Sequence, residues 1–574
     1  MSMALSQTAN SCVRRHGSVS CSSAGGSGSS AFLRRTRMLM TTTKTTAAAA
    51  ATTTTVVTSQ TQTGRHRHSI VVGGGFVGLS AALHLQKIGR TVTLLESAPS
   101  IGTSGSCSYG NAGTMAMYAN VPVNDSAPSL LQTFPTLLAP DNNSYSSGPL
   151  SIRPSWHLPK MIPWAALFAW NCRRSAVEHT ASSLGALLSR AESGWEPVWN
   201  QAGIDITGGT MGQHAESQSQ SQSNASPPWR VKEGYLILQR TKSNMENSQT
   251  STNLRKRFIP NLQMKKLSTE EVLELEPNID PELCSGGAWF FPEGWYLNEP
   301  GALLRGLASS LETGGGAIRN GTTVVDISND DDDDDPNRAV RAVLNDGTHL
   351  SADELVIAAG AHSADLVSSA MGEFCPLETE RGYSITFQQK GKDSLLHRAV
   401  CDSTAGWIAT PMAGGLRVAG KVELGGLKLP PAPERFDQLE REARALLGEN
   451  NLGPRIPSKD WLGFRPTMPD ALPVIGRSRK LPRSVFYAFG HQHVGWTLGG
   501  ITGQLIAELV QGKKPSVDLA PYSLDRFRFR NLMRGAFGSS SSPTSIANSQ
   551  LQQQQQHRSF SSWSSSSSSD PSAL

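Results

Sequence analysis

The chain has 574 residues, is 38% hydrophobic and 17% charged, and carries a net charge of +5. That length exceeds one compact core and predicts two domains. Its seven cysteines are scattered and form no CxxC pair, which excludes a disulfide framework and a zinc site of ordinary spacing. No apolar run reaches the roughly 18–20 residues needed to span a bilayer.

The charge is unevenly placed. Residues 1–68 contain no Asp or Glu and eight Lys or Arg, among long Ser, Thr and Ala runs. A basic, hydroxyl-rich, acid-free start is the composition of an organelle transit peptide. The mitochondrion is the expected address and a plastid the alternative. Without those eight cations the chain carries −3, so the alkaline balance belongs to the leader and gives no reason to expect nucleic-acid binding.

The ordered chain is expected to begin at Ser69. Residues 69–72 read as a short buried strand. Leu79, Ala82, Leu83, Leu85 and Ile88 then recur at helical spacing until Gly89. Residues 91–95 make a second apolar strand, closed by Glu96, which completes one βαβ unit. Inside it runs Gly73-Gly74-Gly75-Phe76-Val77-Gly78. Gly73 permits the tight turn, Gly75 lets the backbone approach a pyrophosphate, and Gly78 lets helix and strand pack closely. The helix start offers free N–H groups and a positive dipole end to phosphates. Glu96 stands where an acid accepts hydrogen bonds from two ribose hydroxyls and repels a 2′-phosphate. Dinucleotide binding follows from the whole unit, but the unit alone does not choose between FAD and NAD.

Residues 156–174 hold Trp156, Trp164 and Trp170 around an apolar middle, with Lys160, Arg173 and Arg174 at the edges. This suits peripheral contact with a membrane surface. The alternative is a helix capping the substrate domain, which Pro159 and Pro163 favour by limiting helix length. Residues 213–228, 241–253 and 538–574 are polar and of low complexity, and read as disordered insertions and a tail. Asp330 to Asp335 form an acidic run between two strand-like stretches, 322–327 and 339–344, so it reads as the loop of an expanded hairpin. Residues 499–510 read as a helix ended by Gly512.

Three further segments carry a resemblance. They are Ser106-Cys107-Ser108-Tyr109-Gly110-Asn111-Ala112-Gly113, then residues 355–363 around Ala358-Ala359-Gly360, then Gly463-Phe464-Arg465-Pro466 continuing to Gly490-His491-Gln492-His493-Val494-Gly495-Trp496-Thr497. With Arg381-Gly382-Tyr383-Ser384 between them, this ordered set resembles the D-amino-acid oxidase family of FAD-dependent oxidoreductases, above all its bacterial D-amino-acid dehydrogenase small-subunit group. The likeness spans about residues 69–535.

The resemblance implies an α/β fold: a Rossmann-like FAD-binding domain of glutathione-reductase type, interleaved with an α+β substrate domain on a mostly antiparallel sheet. The FAD-binding part would comprise 69–125, 297–376 and 461–535, and the substrate part 126–296 and 377–460, with a tail from 536. It also implies FAD as cofactor. Its contacts would come from Gly73, Gly75, Phe76, Val77, Gly78 and Glu96, from Ser108, Asn111, Ala112 and Gly113, from Val325 and Gly360, and from Gly490, His491, Gly495, Trp496 and Thr497. No metal is implied.

The implied reaction is oxidative deamination of a small amino acid, D by preference, with a quinone or oxygen taking the electrons. Arg465 matches the family's carboxylate-binding position, and a guanidinium holds a carboxylate bidentately. Tyr383 is the candidate for a second substrate contact or for packing beside the flavin. His491 and His493 are not assigned as bases. A histidine base would be expected for a 2-hydroxy acid, whose hydroxyl must lose a proton as hydride leaves. Two-hydroxy-acid oxidation and glycine- or sarcosine-type amine oxidation are the alternative activities; a non-catalytic flavoprotein is the alternative class.

Overall fold

The computed structural model describes residues 67–103, 105–126, 148–153, 155–204, 229–329, 339–391 and 394–528. The expected leader apart from its last two residues, the 213–228 insertion, the acidic run and the tail lie outside the described residues.

Two sheets organise the rest. The first has six strands in the order Val474–Arg477, Val485–Phe489, Glu354–Ile357, His68–Val72, Thr91–Leu95, Ala317–Arg319. All neighbours are parallel except the first pair. Ile70, Val71, Leu355, Val356 and Ile357 have no exposed surface, as a parallel sheet covered on both faces requires. The opening strand starts at His68, inside the expected leader, where its backbone N–H donates to Asp353 at 2.7 Å. Helix Phe76–Lys87 packs on this sheet beside helix Gly495–Val510.

Helix Ala191–Ala202 crosses the C-terminal helix at Gly194, where a Cβ would lie 2.3 Å from the Ile501 nitrogen. That close approach brings Trp195 within 4.9 Å of Trp496, ring centre to ring centre. Trp199 and Phe76 complete the aromatic block, at 5.9 and 4.7 Å from Trp496.

The second sheet is mostly antiparallel. Its main path runs Trp461–Thr467, Glu378–Phe387, Gly415–Leu424, Trp407–Met412, Ala399–Asp402, Tyr235–Leu238, Ala288–Phe291, Lys265–Leu267. One face packs under helix Pro433–Leu447 through Tyr383, Ile385, Val400, Ala409, Val418 and Leu439. The other carries Ile237, Cys401 and Ile408 toward the first domain's core. The expected interleaving is therefore present, with one boundary moved: Trp461–Thr467 pairs with Glu378–Phe387 in the second sheet rather than joining the FAD-binding part.

One further expectation is corrected. Residues 241–253 are not a disordered insertion but part of helix Lys242–Phe258. The Thr241 hydroxyl accepts from the Asn244 amide at 3.1 Å, and Arg255, Lys256 and Arg257 suit the negative end of the helix dipole. Few apolar residues suffice because Leu254 docks on Val177 and Ala181. Residues 158–170 form a helix despite both prolines. Pro159 sits in the first turn, where its missing N–H costs nothing, and Pro163 forgoes only the bond to the carbonyl of Pro159. Trp164 is buried and donates to the Thr467 carbonyl at 3.0 Å, whereas Trp156 is 95% exposed and Trp170 39%. No helix among the described residues is long and apolar enough to cross a membrane. The hairpin flanking the acidic run forms as expected, between Val324–Ser328 and Val340–Leu344.

Candidate functional site

The glycine-rich turn is sterically committed. A Cβ on Gly73 would lie 2.5 Å from the Ala358 carbonyl oxygen, and one on Gly78 only 1.8 Å from that of Gly73. Gly73 also has φ +109°, which favours glycine. The following helix starts at Phe76 with no acidic residue in its first turn, and Gly75, having no side chain, leaves its N-terminus open to an anion. Phe76 N–H donates to Ser108 Oγ there at 3.1 Å; Val77 packs its side chain on the core. Glu96 is buried beside the turn, accepting from Gly74 N–H at 2.6 Å and Ala98 N–H at 2.7 Å. Gly360 follows the neighbouring strand with φ +56°. Val325 falls at a slip in register, so its backbone has no cross-strand partner.

The loop after the second strand is tied internally and then strapped to the second sheet. Asn111 donates to the Ser108 carbonyl at 2.8 Å and accepts from Gly113 N–H at 2.7 Å. Thr410 donates to the Ala112 carbonyl at 2.9 Å, and Arg417 to the carbonyls of Tyr109 and Asn111, each at 3.1 Å. Opposite, Gly490 (φ +80°) and Gln492 (φ +48°) form the turn leading into helix Gly495–Val510. His491 in that turn is buried, lies 2.9 Å from the Thr502 hydroxyl, and has its pKa lowered to about 3 by burial. Trp496 belongs to the aromatic block, and the Thr497 hydroxyl accepts from Ala116 N–H at 3.0 Å.

These residues fit FAD. An acid-free helix start, a turn no side chain can enter, a buried carboxylate for ribose hydroxyls and a second acid-free helix start match its phosphates, its ribose and the flavin's polar edge.

The register of the second sheet decides the substrate end. Glu380 lies opposite Arg465, Gly382 opposite Gly463, and Ser384 opposite Trp461; these six share one face. Tyr383 lies opposite Leu462 on the other face. The expectation that Tyr383 contacts substrate or flavin is corrected accordingly. Its ring packs edge-on to Phe436, and its hydroxyl donates to Glu423 at 2.9 Å while accepting from Ala432 N–H at 3.2 Å. Arg381 joins it there, bonded to Glu423 at 2.7 Å and fully buried.

Arg465 stands on the face shared with Glu380, Gly382 and Trp461. Its guanidinium donates to the carbonyls of Lys421 at 2.8 Å and Gly420 at 3.4 Å. Three groups that sequence reasoning did not select gather near it. Glu380 is buried and accepts from the Gln492 amide at 3.1 Å; burial raises its pKa, and the nearby Arg465 charge opposes that shift. The His493 ring is accessible to water, yet surrounding protein lowers its pKa to about 4, with the Arg465 charge adding to the effect. Cys107, beside Ser108, has its thiol pKa pushed up by burial, again opposed by Arg465. The available signal was the alternation around Arg381-Gly382-Tyr383, which puts Glu380 and Tyr383 on opposite faces.

A parallel-sheet domain that fits a dinucleotide, interleaved with a mostly antiparallel second sheet, points to a flavin-dependent oxidoreductase. The chain belongs to the DAO family of FAD dependent oxidoreductases, whose family model matches residues 68–509. It is similar to a D-amino-acid oxidase of Bradyrhizobium diazoefficiens, 31% identical over 80% of this chain and 99% of that one. It is also similar to a D-amino acid dehydrogenase of Vibrio vulnificus, 25% identical over 80% and 99%. In fold it is similar to glycine oxidase from Geobacillus kaustophilus, with TM-score 0.55, 21% identity and coverage of 80% and 100%.

Proposed function

We propose that the protein oxidises a small amino acid, D by preference, to the 2-oxo acid and ammonia. The carrying observation is Arg465, whose guanidinium is held by two backbone carbonyls on the sheet face it shares with Glu380. The relatives named D-amino-acid oxidase and D-amino acid dehydrogenase support the substrate class. Bound FAD supplies the hydride acceptor. The chain's own part is orientation: Arg465 binds the carboxylate, the second sheet covers the substrate, and the Gly495 helix start favours negative charge on the cofactor's polar edge. A 2-hydroxy acid needs a base for its hydroxyl; His491 is held in its turn by Thr502, and oxidation of a 2-hydroxy acid remains the alternative activity.

Oxygen or a quinone would accept the electrons. The exposed Trp156, Ile162, Trp170 and Phe374 support peripheral contact with a membrane, where a quinone would be met. The composition of residues 1–68 supports a mitochondrial address.

The test is anaerobic bleaching of the purified holoenzyme's flavin by D-amino acids, L-amino acids, glycine, sarcosine and 2-hydroxy acids. Bleaching by a D-amino acid with release of ammonia is expected; bleaching by 2-hydroxy acids alone would overturn the reading. Fast return of colour in air identifies an oxidase, and return only with added quinone a dehydrogenase.

A further inference from the structure

Two oppositely charged side chains stand side by side on one face of the second sheet. Glu380 and Arg465 are directly opposed across neighbouring antiparallel strands, so their Cβ atoms lie about 4.5–5.5 Å apart and their side chains leave the sheet together. They are nevertheless anchored separately. Arg465 donates to the carbonyls of Gly420 and Lys421, and Glu380 Oε1 accepts from Gln492. Among the described residues no salt bridge locks them to each other.

A buried carboxylate is costly to keep unless it is matched. Gln492 is neutral and supplies one hydrogen bond. Next to Glu380 on the same face, Gly382 and Gly463 carry no side chain, and the Arg465 guanidinium and the Trp461 ring lie over them. The ligand matched to adjacent cationic and anionic groups is one with its own adjacent anion and cation.

We propose that Glu380 binds the ammonium group of the substrate while Arg465 binds its carboxylate, so that the pair selects a zwitterion. This rests on the amino-acid reading above and deepens it. Glu380 is then the group that separates amino acids from 2-hydroxy acids and simple carboxylates: the first gain a charge-assisted bond to it, whereas the others bring no cation and place a second anion beside it. The buried setting enlarges both the attraction and the penalty, because screening by water is weak there.

The experiment uses the full-length holoenzyme and two ligands that cannot be oxidised. Isobutyrate offers only a carboxylate; 2-aminoisobutyrate adds the ammonium but has no hydrogen on Cα. Binding is read from the shift of the flavin absorption bands. The wild type should bind 2-aminoisobutyrate on the order of 10–100-fold more tightly, as a hydrogen bond between charged groups implies. E380Q should lose most of that preference, bind isobutyrate as well as or better than wild type, and raise KM for D-alanine. E380D should restore part of the preference.

A residue that merely holds the strands would weaken both ligands alike, so an unchanged ratio in E380Q overturns the proposal. Equal binding of the two ligands by wild type overturns it without any variant, which covers the case of E380Q failing to fold. If no amino acid bleaches the holoenzyme, the parent reading fails instead. If D-alanine bleaches it but the ligand ratio is flat, only the role of Glu380 is lost.

Discussion

The guanidinium of Arg465 lies directly over Gly382 on the adjacent strand: a Cβ there would come 2.4 Å from Nη2. A methyl group therefore cannot be added without moving the proposed carboxylate anchor. Gly382→Ala should raise KM for every carboxylate substrate by about 10-fold or more, since a displaced guanidinium forfeits a hydrogen bond of about 1.5–3 kcal/mol. Unchanged KM with unchanged flavin content would show that Arg465 does not hold the carboxylate.

Arg465 itself can be tested by the geometry of its charge. Lys keeps the charge but not the planar fork, and cannot reach the Gly420 and Lys421 carbonyls and a carboxylate in the same way. Arg465→Lys should lower kcat/KM by about 10–100-fold with full FAD occupancy, measured by steady-state kinetics on holoenzyme of verified flavin content. Arg465→Ala should lower it further.

Tyr383 provides the contrast. Its hydroxyl lies on the helix side of the sheet, between Glu423 and Ala432. Tyr383→Phe should leave KM unchanged and lower stability by about 1–3 kcal/mol, because two buried polar groups lose a partner. Thermal unfolding and steady-state kinetics together check this; a raised KM with unchanged stability would put the hydroxyl back in the substrate site.

Glu96 ties the glycine-rich turn together through Gly74 and Ala98. Glu96→Ala removes the group expected to hold the ribose and also leaves buried N–H donors unmatched. Flavin content after dialysis should fall sharply, and the variant should melt at lower temperature even as apoprotein. Retention of FAD through dialysis would argue against the ribose role.

Acid should destabilise the fold through its buried histidines. His491 and His84 are neutral inside, with pKa values lowered to about 3 and about 4, mainly by burial. Unfolded, both titrate near 6.5, so between about pH 6.5 and those lower values the unfolded chain binds more protons than the folded one. Stability must fall as pH falls through that window, by up to about 1.4 kcal/mol per pH unit for each histidine. His491→Gln should flatten the slope of melting temperature against pH between 6.5 and 4; an unchanged slope would show that His491 already carries its proton.

Local features were legible because each has a local cause. The strand, Gly73-to-Gly78 turn, helix and Glu96 all lie within 30 residues, and each demands its residue type for a steric or electrostatic reason. Arg465 was singled out by resemblance alone, and the face it shares with Glu380 is set by the sheet. What escaped depended on pairing. Tyr383 and Glu380 are three residues apart, and which of them faces Arg465 follows from alignment with a strand some 80 residues further on, across a slip in register on the opposite side. The helix Lys242–Phe258 escaped because its docking relies on few apolar positions, including Met245 and Leu254, too few to stand out from its polar surroundings.

The strand Trp461–Thr467 belongs to the second sheet, yet within a few residues the same chain enters the first sheet and then forms the Gly490 turn and the final helix. Substrate preference therefore cannot be transplanted into a relative as one cassette. A graft of residues 229–460 alone would import Glu380 but leave Arg465 and Gln492 behind. A chimera that respects the charged pair must carry both segments, and its C-terminal junction can fall only after the Gly490 turn, which is expected to contact the cofactor.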